Sequence, residues 1–345
     1  METRMSRIAI IGAGAWGTGL AIVMGRGGSH QVRLWAHEKE VRDSILSRRL
    51  NDLFLPGQSI PATVLPTGSL QEALDGAEIV VSVMPSQHCR LLFQQMLPHL
   101  TPAMLFVSAT KGLEETTLLR MTEVAVQVIE SGRGFAPRIG ALSGPSFAKE
   151  VARGDPTAIT VASQDSELAE IVQREFSDPR FRVYTNDDVV GVELGGALKN
   201  VIAIAAGVCD GLGFGHNSIA ALITRGLAEI TRLAVACGGR QETMSGLAGL
   251  GDLVLTCTGG LSRNRSVGVE LGRGRKLPDI IAGMHGAVAE GVFTTQAAVG
   301  LARARSVEMP ITEQMDDILH RDKSPAEAIR DLMNRSVKSE TALSS

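Results

Sequence analysis

The sequence predicts an α/β protein: a doubly wound parallel sheet in the first half and an all-α second half. Short apolar runs that fit buried strands alternate with helical segments as far as residue 184, which is typical of a parallel sheet covered by helices. From residue 189 onward, apolar residues recur at helical spacing almost throughout. A length of 345 residues fits about two domains. We expect domains over 1–187 and 188–335 and a polar, mobile tail over 336–345.

The predicted strands are short and apolar, and several end at a polar residue, a glycine or a proline. They cover residues 7–11, 31–35, 79–83, 105–108, 139–143, 158–162 and 182–184. The helices predicted between them cover residues 15–24, 87–97 and 116–131. The helices predicted in the second half cover residues 189–208, 218–237, 267–271, 294–303, 313–320 and 326–333. The last of these follows Ser324-Pro325-Ala326-Glu327, a capping box with proline at the first helical position.

Composition excludes several classes of function. The chain has 34 Lys and Arg against 37 Asp and Glu, a net charge of −3, which argues against general binding to nucleic acids or anionic membranes. Aromatic residues make up 3% of the chain, too few for platforms that stack bases. No stretch reaches the length of a membrane span, and no apolar leader precedes the first strand. We therefore expect a cytoplasmic protein that neither binds nucleic acid nor inserts into membranes.

The four cysteines have no spacing typical of a metal site. They are Cys89, Cys209, Cys237 and Cys257. Reduced thiols of a cytosolic protein are the simplest interpretation. We expect no metal.

A glycine-rich loop follows the first predicted strand. In Gly12-Ala13-Gly14-Ala15-Trp16-Gly17 the first glycine permits a turn, the second lets the backbone approach a pyrophosphate, and the third lets helix and strand pack closely. The helix that follows favours an anion at its N-terminus. The alternative is an incidental glycine turn. Because the glycine-rich loop lies between a strand and a helix, we predict a dinucleotide site.

The end of the second strand lacks the carboxylate that usually binds the adenosine ribose. Trp35 is followed by Ala36 and His37 before the first acid, Glu38. A 2′-phosphate would therefore meet less repulsion, and we expect NADP(H) to be accepted as well as NAD(H). His37 either contacts the ribose or its phosphate or is merely solvated.

Lys199 lies in a run of small and apolar residues, 195–203. In a helix, Gly195 and Gly196 would lie one turn away and leave room for a ligand to approach the ammonium. Apolar surroundings disfavour the charged form and lower the pKa toward the range useful for acid–base chemistry. A lysine of this kind beside a nicotinamide would suit an alcohol dehydrogenase that needs no metal.

Two further groups follow predicted strands, where ligands of open α/β sheets bind. Lys111 lies in 110–114, and Gly144 and Ser146 lie in 144–148. The alternatives are a surface lysine and an ordinary turn.

The helical half contributes three polar groups. Asp252 stands among apolar residues and glycines and is expected to pair with Lys199 or to cap a helix. The run 262–266 contains Ser262, Arg263 and Asn264; it suits a phosphate or is a solvated basic turn. Glu290 by itself fits an exposed acid better than a ligand.

These blocks, in this order, resemble the bacterial NAD(P)-dependent glycerol-3-phosphate dehydrogenase family. The resemblance runs from about residue 8 to residue 333, and the blocks at 195–201 and 247–264 are its most specific part. It implies a Rossmann domain followed by a helical domain like those of 6-phosphogluconate dehydrogenase relatives, with the active site between them. It also implies reversible hydride transfer between NAD(P)H and dihydroxyacetone phosphate, which gives sn-glycerol 3-phosphate for phospholipid synthesis.

The resemblance also implies roles for individual residues, with Lys199 as the proton acceptor. The residues implied to bind substrate are Lys111, Gly144, Ser146, Lys199, Asp252, Ser262, Arg263 and Asn264. The residues implied to bind the cofactor are Gly12, Gly14, Ala15, Trp16, Gly17, His37, Lys111, Ala148, Arg263, Val288 and Glu290. Ala15 departs from the family, whose members often carry serine there, so one hydroxyl contact to the cofactor phosphate would be missing.

Two alternative functions stay open at this point. The enzyme could belong to the same two-domain group but act on a β-hydroxy acid or on 6-phosphogluconate, which would need carboxylate anchors. It could instead bind NAD(P)H as a non-catalytic redox sensor, which would leave Lys199 and Asp252 unexplained. We expect the binding partner to be a small-molecule substrate. Whether the protein forms a homodimer stays open.

Overall fold

The fold is built on one eight-stranded sheet with the strand order β3-β2-β1-β4-β5-β6-β7-β8. The computed structural model describes residues 6–284, 288–337 and 339. The strands are β1 (Ser6–Ile11), β2 (His30–Trp35), β3 (Val64–Thr67), β4 (Ile79–Ser82), β5 (Leu105–Ser108), β6 (Arg138–Ser143), β7 (Thr157–Ala162) and β8 (Phe181–Asn186). Every predicted strand is present, and β3 is an addition. Because β3 is only four residues long and contains a proline, its sequence pattern is weak.

The sheet is parallel except between β6 and β7, which pair antiparallel. The chain leaves β6 at Gly144, whose φ of +141° strongly favours glycine. It then forms the short helix Ala148–Arg153, which packs against the helix Ala15–Arg26. The chain therefore enters β7 at the edge where β6 ended, so β7 and β8 run opposite to the other strands.

The helices of the sheet-containing half are α1 (Ala15–Arg26), α2 (Lys39–Arg48), α3 (Leu70–Leu74), α4 (Cys89–Met96), α5 (Met121–Arg133), α6 (Ala148–Arg153) and α7 (Ser166–Phe176). Helix α1 continues through Gly25 to Arg26, beyond its predicted end at residue 24. Helix α5 begins five residues later than predicted, because Leu118 has a left-handed φ of 61° and Arg120 forms a capping box with Glu123.

The second half is helical, as predicted. Its helices are α8 (Val189–Gly211), α9 (His216–Ala236), α10 (Gln241–Met244), α11 (Asp252–Thr258), α12 (Arg263–Gly272), α13 (Leu277–Ala282), α14 (Glu290–Ala304), α15 (Pro310–His320) and α16 (Pro325–Met333). A π-helical turn, Leu247–Gly251, precedes α11. Helix α16 has the predicted capping box between Ser324 and Glu327.

Helix α8 is the centre of the helical half. Residues 191–208 are all buried, and α9, α11, α12 and α14 pack around them. Gly207 and Gly268 let α8 and α12 approach closely, since a Cβ at either position would collide with backbone of the other helix. The expectation that no stretch reaches the length of a membrane span is wrong for α8, which has the length and apolarity of a bilayer-spanning segment. However, 89% of its most apolar window is buried inside the protein, as in a core helix.

The apolar core lies on both faces of the sheet and, separately, around α8. We propose on this basis the domains 1–187 and 188–335, divided between β8 and α8. Most of the predicted tail, 336–345, lies outside the described residues.

Candidate active site

The carboxyl ends of β1, β4, β5 and β6 lie at one edge of the sheet, because these strands are mutually parallel. The glycine-rich loop follows β1, Ser86 follows β4, Lys111 follows β5 and Gly144 follows β6. Residues of the helical half contact two of these loops: Glu290 contacts Ser86, and Asp252 contacts Lys111. The edge where open α/β sheets bind ligands is therefore covered by the helical half.

Asp252 lies between two lysines and contacts both. Lys199 Nζ donates a short hydrogen bond to Asp252 Oδ1, and Lys111 Nζ lies 2.7 Å from Asp252 Oδ2. Lys111 Nζ also donates to the carbonyl of Gly144 at 3.1 Å. The expected pairing of Lys199 with Asp252 is present. Asp252 is the first residue of α11, and its carboxylate is occupied by the lysines instead of capping the helix.

The charges of this cluster are set by burial and mutual attraction. Burial lowers the pKa of Lys199 to about 8, although the carboxylate of Asp252 works to raise it and the nearby Lys111 lowers it further. Burial works to raise the pKa of Asp252, but the ammonium groups of Lys111 and Lys199 prevail and the pKa is lowered. The cluster thus holds an ionised carboxylate beside an amine that can exchange a proton near neutral pH.

Small residues of α8 position Lys199 by letting other elements approach closely. A Cβ at Gly195 would lie 2.7 Å from the carbonyl oxygen of Ala248, in the π-helical turn, and a Cβ at Gly196 would lie 2.5 Å from Ser143 Oγ. The prediction that this face leaves room for a ligand is therefore wrong at both glycines. Their lack of side chains is used to pack α8 against the turn that precedes Asp252 and against the end of β6.

The glycine-rich loop has the shape that a pyrophosphate requires. Gly12 has a φ of +122° and packs on Val83, and a Cβ at Gly17 would collide with the carbonyl of Gly12. A Cβ at Gly14 would meet no atom within 4 Å, so the loop is open on that side. Helix α1 has no side-chain cap at its N-terminus, which leaves backbone N–H groups for an anion. The described residues fit a dinucleotide. Ala15 and Trp16 form the first turn of α1.

His37 lies at the end of β2 and is exposed. Its ring is tilted against that of Trp35, with 6.0 Å between ring centroids. In dinucleotide-binding folds the end of the second strand is where the adenosine ribose usually lies.

Glu290 is not the exposed acid that its local sequence suggests. It begins α14 and lies partly buried, where its carboxylate accepts hydrogen bonds from Ser86 Oγ at 2.6 Å and from the Ser86 backbone at 3.2 Å. Burial raises the pKa of Glu290. Arg263 is exposed and lies close enough for attraction between the two charges. Val288 lies two residues before Glu290.

The predicted phosphate cluster forms the start of α12. Ser262 caps the helix by accepting from the backbone N–H of Arg265 at 3.2 Å. Asn264 donates to Asn200 Oδ1 and accepts from the backbone N–H of Gly291, both at 2.9 Å. Ser262 thus stabilises the start of α12, and Asn264 joins α12 to α8 and α14. The side chain of Arg263 has no hydrogen bond among the described residues. Asn264 is thereby joined directly to Asn200, the residue next to Lys199.

The loop after β6 presents its backbone to the site. The carbonyl of Gly144 accepts from Lys111 and from Ser146 Oγ, the latter at 2.9 Å. Ala148 is the first residue of α6 and packs against Gly19 of α1. The loop therefore lies between Lys111 and the helix that begins at the glycine-rich loop.

Three residues of the site were missed in the sequence. Thr256 Oγ1 accepts from Lys199 Nζ at 2.9 Å, and its spacing of four from Asp252 on a helix could have indicated this. Ser86 and Asn200 have partners far away in the chain, and no local pattern indicates them. Four free cysteines are present, and no cluster of three or more His, Cys, Asp or Glu able to hold a metal occurs among the described residues.

Comparison with known proteins agrees with this geometry. Residues 7–169 match the model of the N-terminal part of NAD-dependent glycerol-3-phosphate dehydrogenase, and residues 188–330 match that of the C-terminal part. The chain belongs to the NAD-dependent glycerol-3-phosphate dehydrogenase family. The resemblance inferred from the sequence is confirmed.

Individual members of the family are similar to this chain over nearly its whole length. A glycerol-3-phosphate dehydrogenase [NAD(P)+] from Koribacter versatilis is 74% identical over 331 residues, 96% of this chain and 98% of that protein. One from Acidobacterium capsulatum is 57% identical over 334 residues, 96% of this chain and 98% of that protein. The crystal structure of a glycerol-3-phosphate dehydrogenase from Coxiella burnetii superposes with a TM-score of 0.90 at 41% identity, covering 96% of this chain and 99% of that one.

Proposed function

We propose that this protein interconverts sn-glycerol 3-phosphate and dihydroxyacetone phosphate with NAD(P)(H). The observation that carries the proposal is the cluster of Lys199, Asp252 and Lys111 at the edge of the sheet that also carries the glycine-rich loop. The chain's family supports the substrate and the cofactor. Supply of glycerol 3-phosphate for phospholipid synthesis is the context we propose.

Lys199 carries the proton. When bound, NAD(P)H would supply a hydride to C2 of the substrate in reduction, and NAD(P)+ would accept one in oxidation. In reduction, the ammonium of Lys199 donates a proton to the oxygen on that carbon; in oxidation, the neutral amine removes the proton of the C2 hydroxyl. A pKa of about 8 makes both forms available near neutral pH. Asp252 and Thr256, one turn apart on α11, both accept hydrogen bonds from the amine and hold it in place.

Charged groups would anchor the phosphate of the substrate and orient its C2 toward the nicotinamide ring of the cofactor. Lys111 is held by Asp252 and Gly144 beside Lys199, and the guanidinium of Arg263 makes no hydrogen bond among the described residues. Ser146 and Gly144 complete the anchor from the loop after β6. Ser262 and Asn264 contribute through the start of α12, which they position. Fixing the substrate in this way replaces a chance encounter with a near-attack geometry.

The cofactor is proposed to lie along the sheet edge from His37 to Lys199. Gly12, Gly14, Ala15, Trp16 and Gly17 would hold its pyrophosphate. Ala148 and Lys111 would contact it on the side of β5 and β6, and Arg263, Val288 and Glu290 on the side of the helical half. The open space at Gly14 and the uncapped N-terminus of α1 support this placement.

The test is a comparison of substrates with the purified protein. Oxidation of NADPH and NADH is followed with dihydroxyacetone phosphate, and reduction of NADP+ and NAD+ with sn-glycerol 3-phosphate, 6-phosphogluconate and a β-hydroxy acid. We expect turnover with the glycerol phosphate pair alone. Turnover with a hydroxy acid instead would assign a different substrate, and cofactor binding with no turnover would favour the sensor.

We also propose a location and an oligomeric state. A cytoplasmic location is supported by four free cysteines. A homodimer is supported by large apolar side chains exposed on the helical half, such as Phe214 and Val254. Equilibrium sedimentation would decide the second.

A further inference from the structure

Helix α2 carries three basic side chains whose positions are described, and they differ in their partners. Lys39 Nζ lies 2.5 Å from Asp43, and Arg48 lies 2.8 Å from Asp52. Arg42, between them, forms no ion pair with any described residue. An arginine without a counter-charge is an available site for an anion.

The structure holds Arg42 at the end of β2. Its Nη1 donates to the carbonyl of Ala36 at 2.7 Å and to that of His37 at 2.9 Å. The guanidinium also lies against Gly68, just beyond β3, where a Cβ would stand 2.8 Å from Cζ. Gly68 in turn accepts from the indole of Trp35 at 3.1 Å. The cation is thus fixed over the tips of β2 and β3 in a half-buried position.

These contacts use only one of the three guanidinium nitrogens. Within the described part of the chain, Nε and Nη2 of Arg42 make no hydrogen bond, so both keep donors for an incoming group. In a dinucleotide fold the ribose of the adenosine lies at the end of the second strand, and an arginine there can accommodate a 2′-phosphate.

We propose that Arg42 binds the adenosine 2′-phosphate of NADPH and makes this chain select NADPH over NADH. The inference rests on the proposed function for the identity of the dinucleotide. It goes beyond the missing carboxylate at the end of β2, because that absence only permits a 2′-phosphate. Arg42 supplies attraction from a guanidinium that is already oriented by two backbone carbonyls.

The test measures binding without catalysis. Calorimetry with the whole protein compares 2′,5′-ADP, which carries the 2′-phosphate, with 5′-AMP, which lacks it. We expect the wild type to bind 2′,5′-ADP more tightly. In Arg42→Ala the affinity for 2′,5′-ADP relative to 5′-AMP should fall about 10- to 100-fold, the effect of a lost charge-assisted hydrogen bond. Arg42→Lys keeps the charge without the fork and should retain part of the preference.

Arg48→Ala is the matched control, since it removes the same charge from the other end of α2, and its preference for 2′,5′-ADP should stay within about twofold of the wild type. If Arg42→Ala weakened the binding of 2′,5′-ADP and of 5′-AMP by the same factor, the residue would only support the loop through Ala36 and His37. That result would overturn the proposal. A wild type without preference would overturn it as well. If the enzyme reduced dihydroxyacetone phosphate equally well with NADH and with NADPH, the proposed function would stand. Only the inference about Arg42 would be refuted.

Discussion

Replacing Asp252 by asparagine should shift the pH dependence of the reaction toward acid. The wild-type carboxylate is buried, lies 2.7 Å from Lys111 and contacts Lys199 directly. Without it, two ammonium groups face each other in a buried site. An opposite charge at such a distance typically shifts a pKa by about 1 to 3 units, so the pKa of Lys199 should fall from about 8 to between about 5 and 7.

The direction of the pH dependence follows from the protonation form of Lys199 that oxidation and reduction each require. Oxidation of glycerol 3-phosphate requires the neutral amine, so the wild-type rate should rise as pH increases through about 8, and reduction should decline over the same range. In Asp252→Asn both transitions should move to lower pH. The lower maximal rate expected of the variant does not affect this readout, because the transition is located by pH.

The assay is a pH profile of kcat in both directions at saturating cofactor. Removing one partner of a buried ion pair costs about 3 to 5 kcal/mol of stability, so the profile is recorded below the melting transition of the variant. Asp210→Asn is the control, because Asp210 lies at the exposed end of α8 and pairs with Arg265. A transition that stays near pH 8 in Asp252→Asn, or moves to higher pH, would refute the assigned electrostatics.

Other variants test the glycine-rich loop and the helical core. Gly14→Ala should change the free energy of unfolding by no more than about 0.5 kcal/mol but weaken NADPH binding, because the space beside Gly14 is open; unaltered binding would argue against a pyrophosphate there. Gly17→Ala should fail to fold stably, since its Cβ would collide with the carbonyl of Gly12. Glu229→Gln should lower the free energy of unfolding by about 1 to 3 kcal/mol, because the buried carboxylate of Glu229 accepts from the backbone N–H groups of Ile311 at 2.7 Å and Thr312 at 3.2 Å. Denaturant titration measures this free energy, and a variant as stable as the wild type would contradict the role of Glu229 as a buried hydrogen-bond acceptor.

Much of the fold could be predicted because strand and helix periodicity is local information. The pairing of Lys199 with Asp252 could also be inferred, since a buried acid and a buried amine each need a partner. The direction of β7 could not, because it depends on where α6 packs after Gly144.

Several tertiary contacts could not be predicted from the sequence either. The glycines beside Lys199 suggested open space, but whether such space holds a ligand or a neighbouring element depends on tertiary packing, and here Ala248 and Ser143 occupy it. Ser86 and Glu290 are 204 residues apart, so their contact appears only once the two halves of the chain meet. Arg42 looks like an ordinary charge on an amphipathic helix until its carbonyl partners are seen.

The proton transfer by Lys199 is tested most directly by Lys199→Ala. Turnover of dihydroxyacetone phosphate with NADPH should fall by about 10²- to 10⁴-fold, the usual contribution of general acid–base catalysis, while the dissociation constant of NADPH, measured by fluorescence titration, changes far less. A variant that binds NADPH normally and keeps turnover close to the wild type would contradict the account.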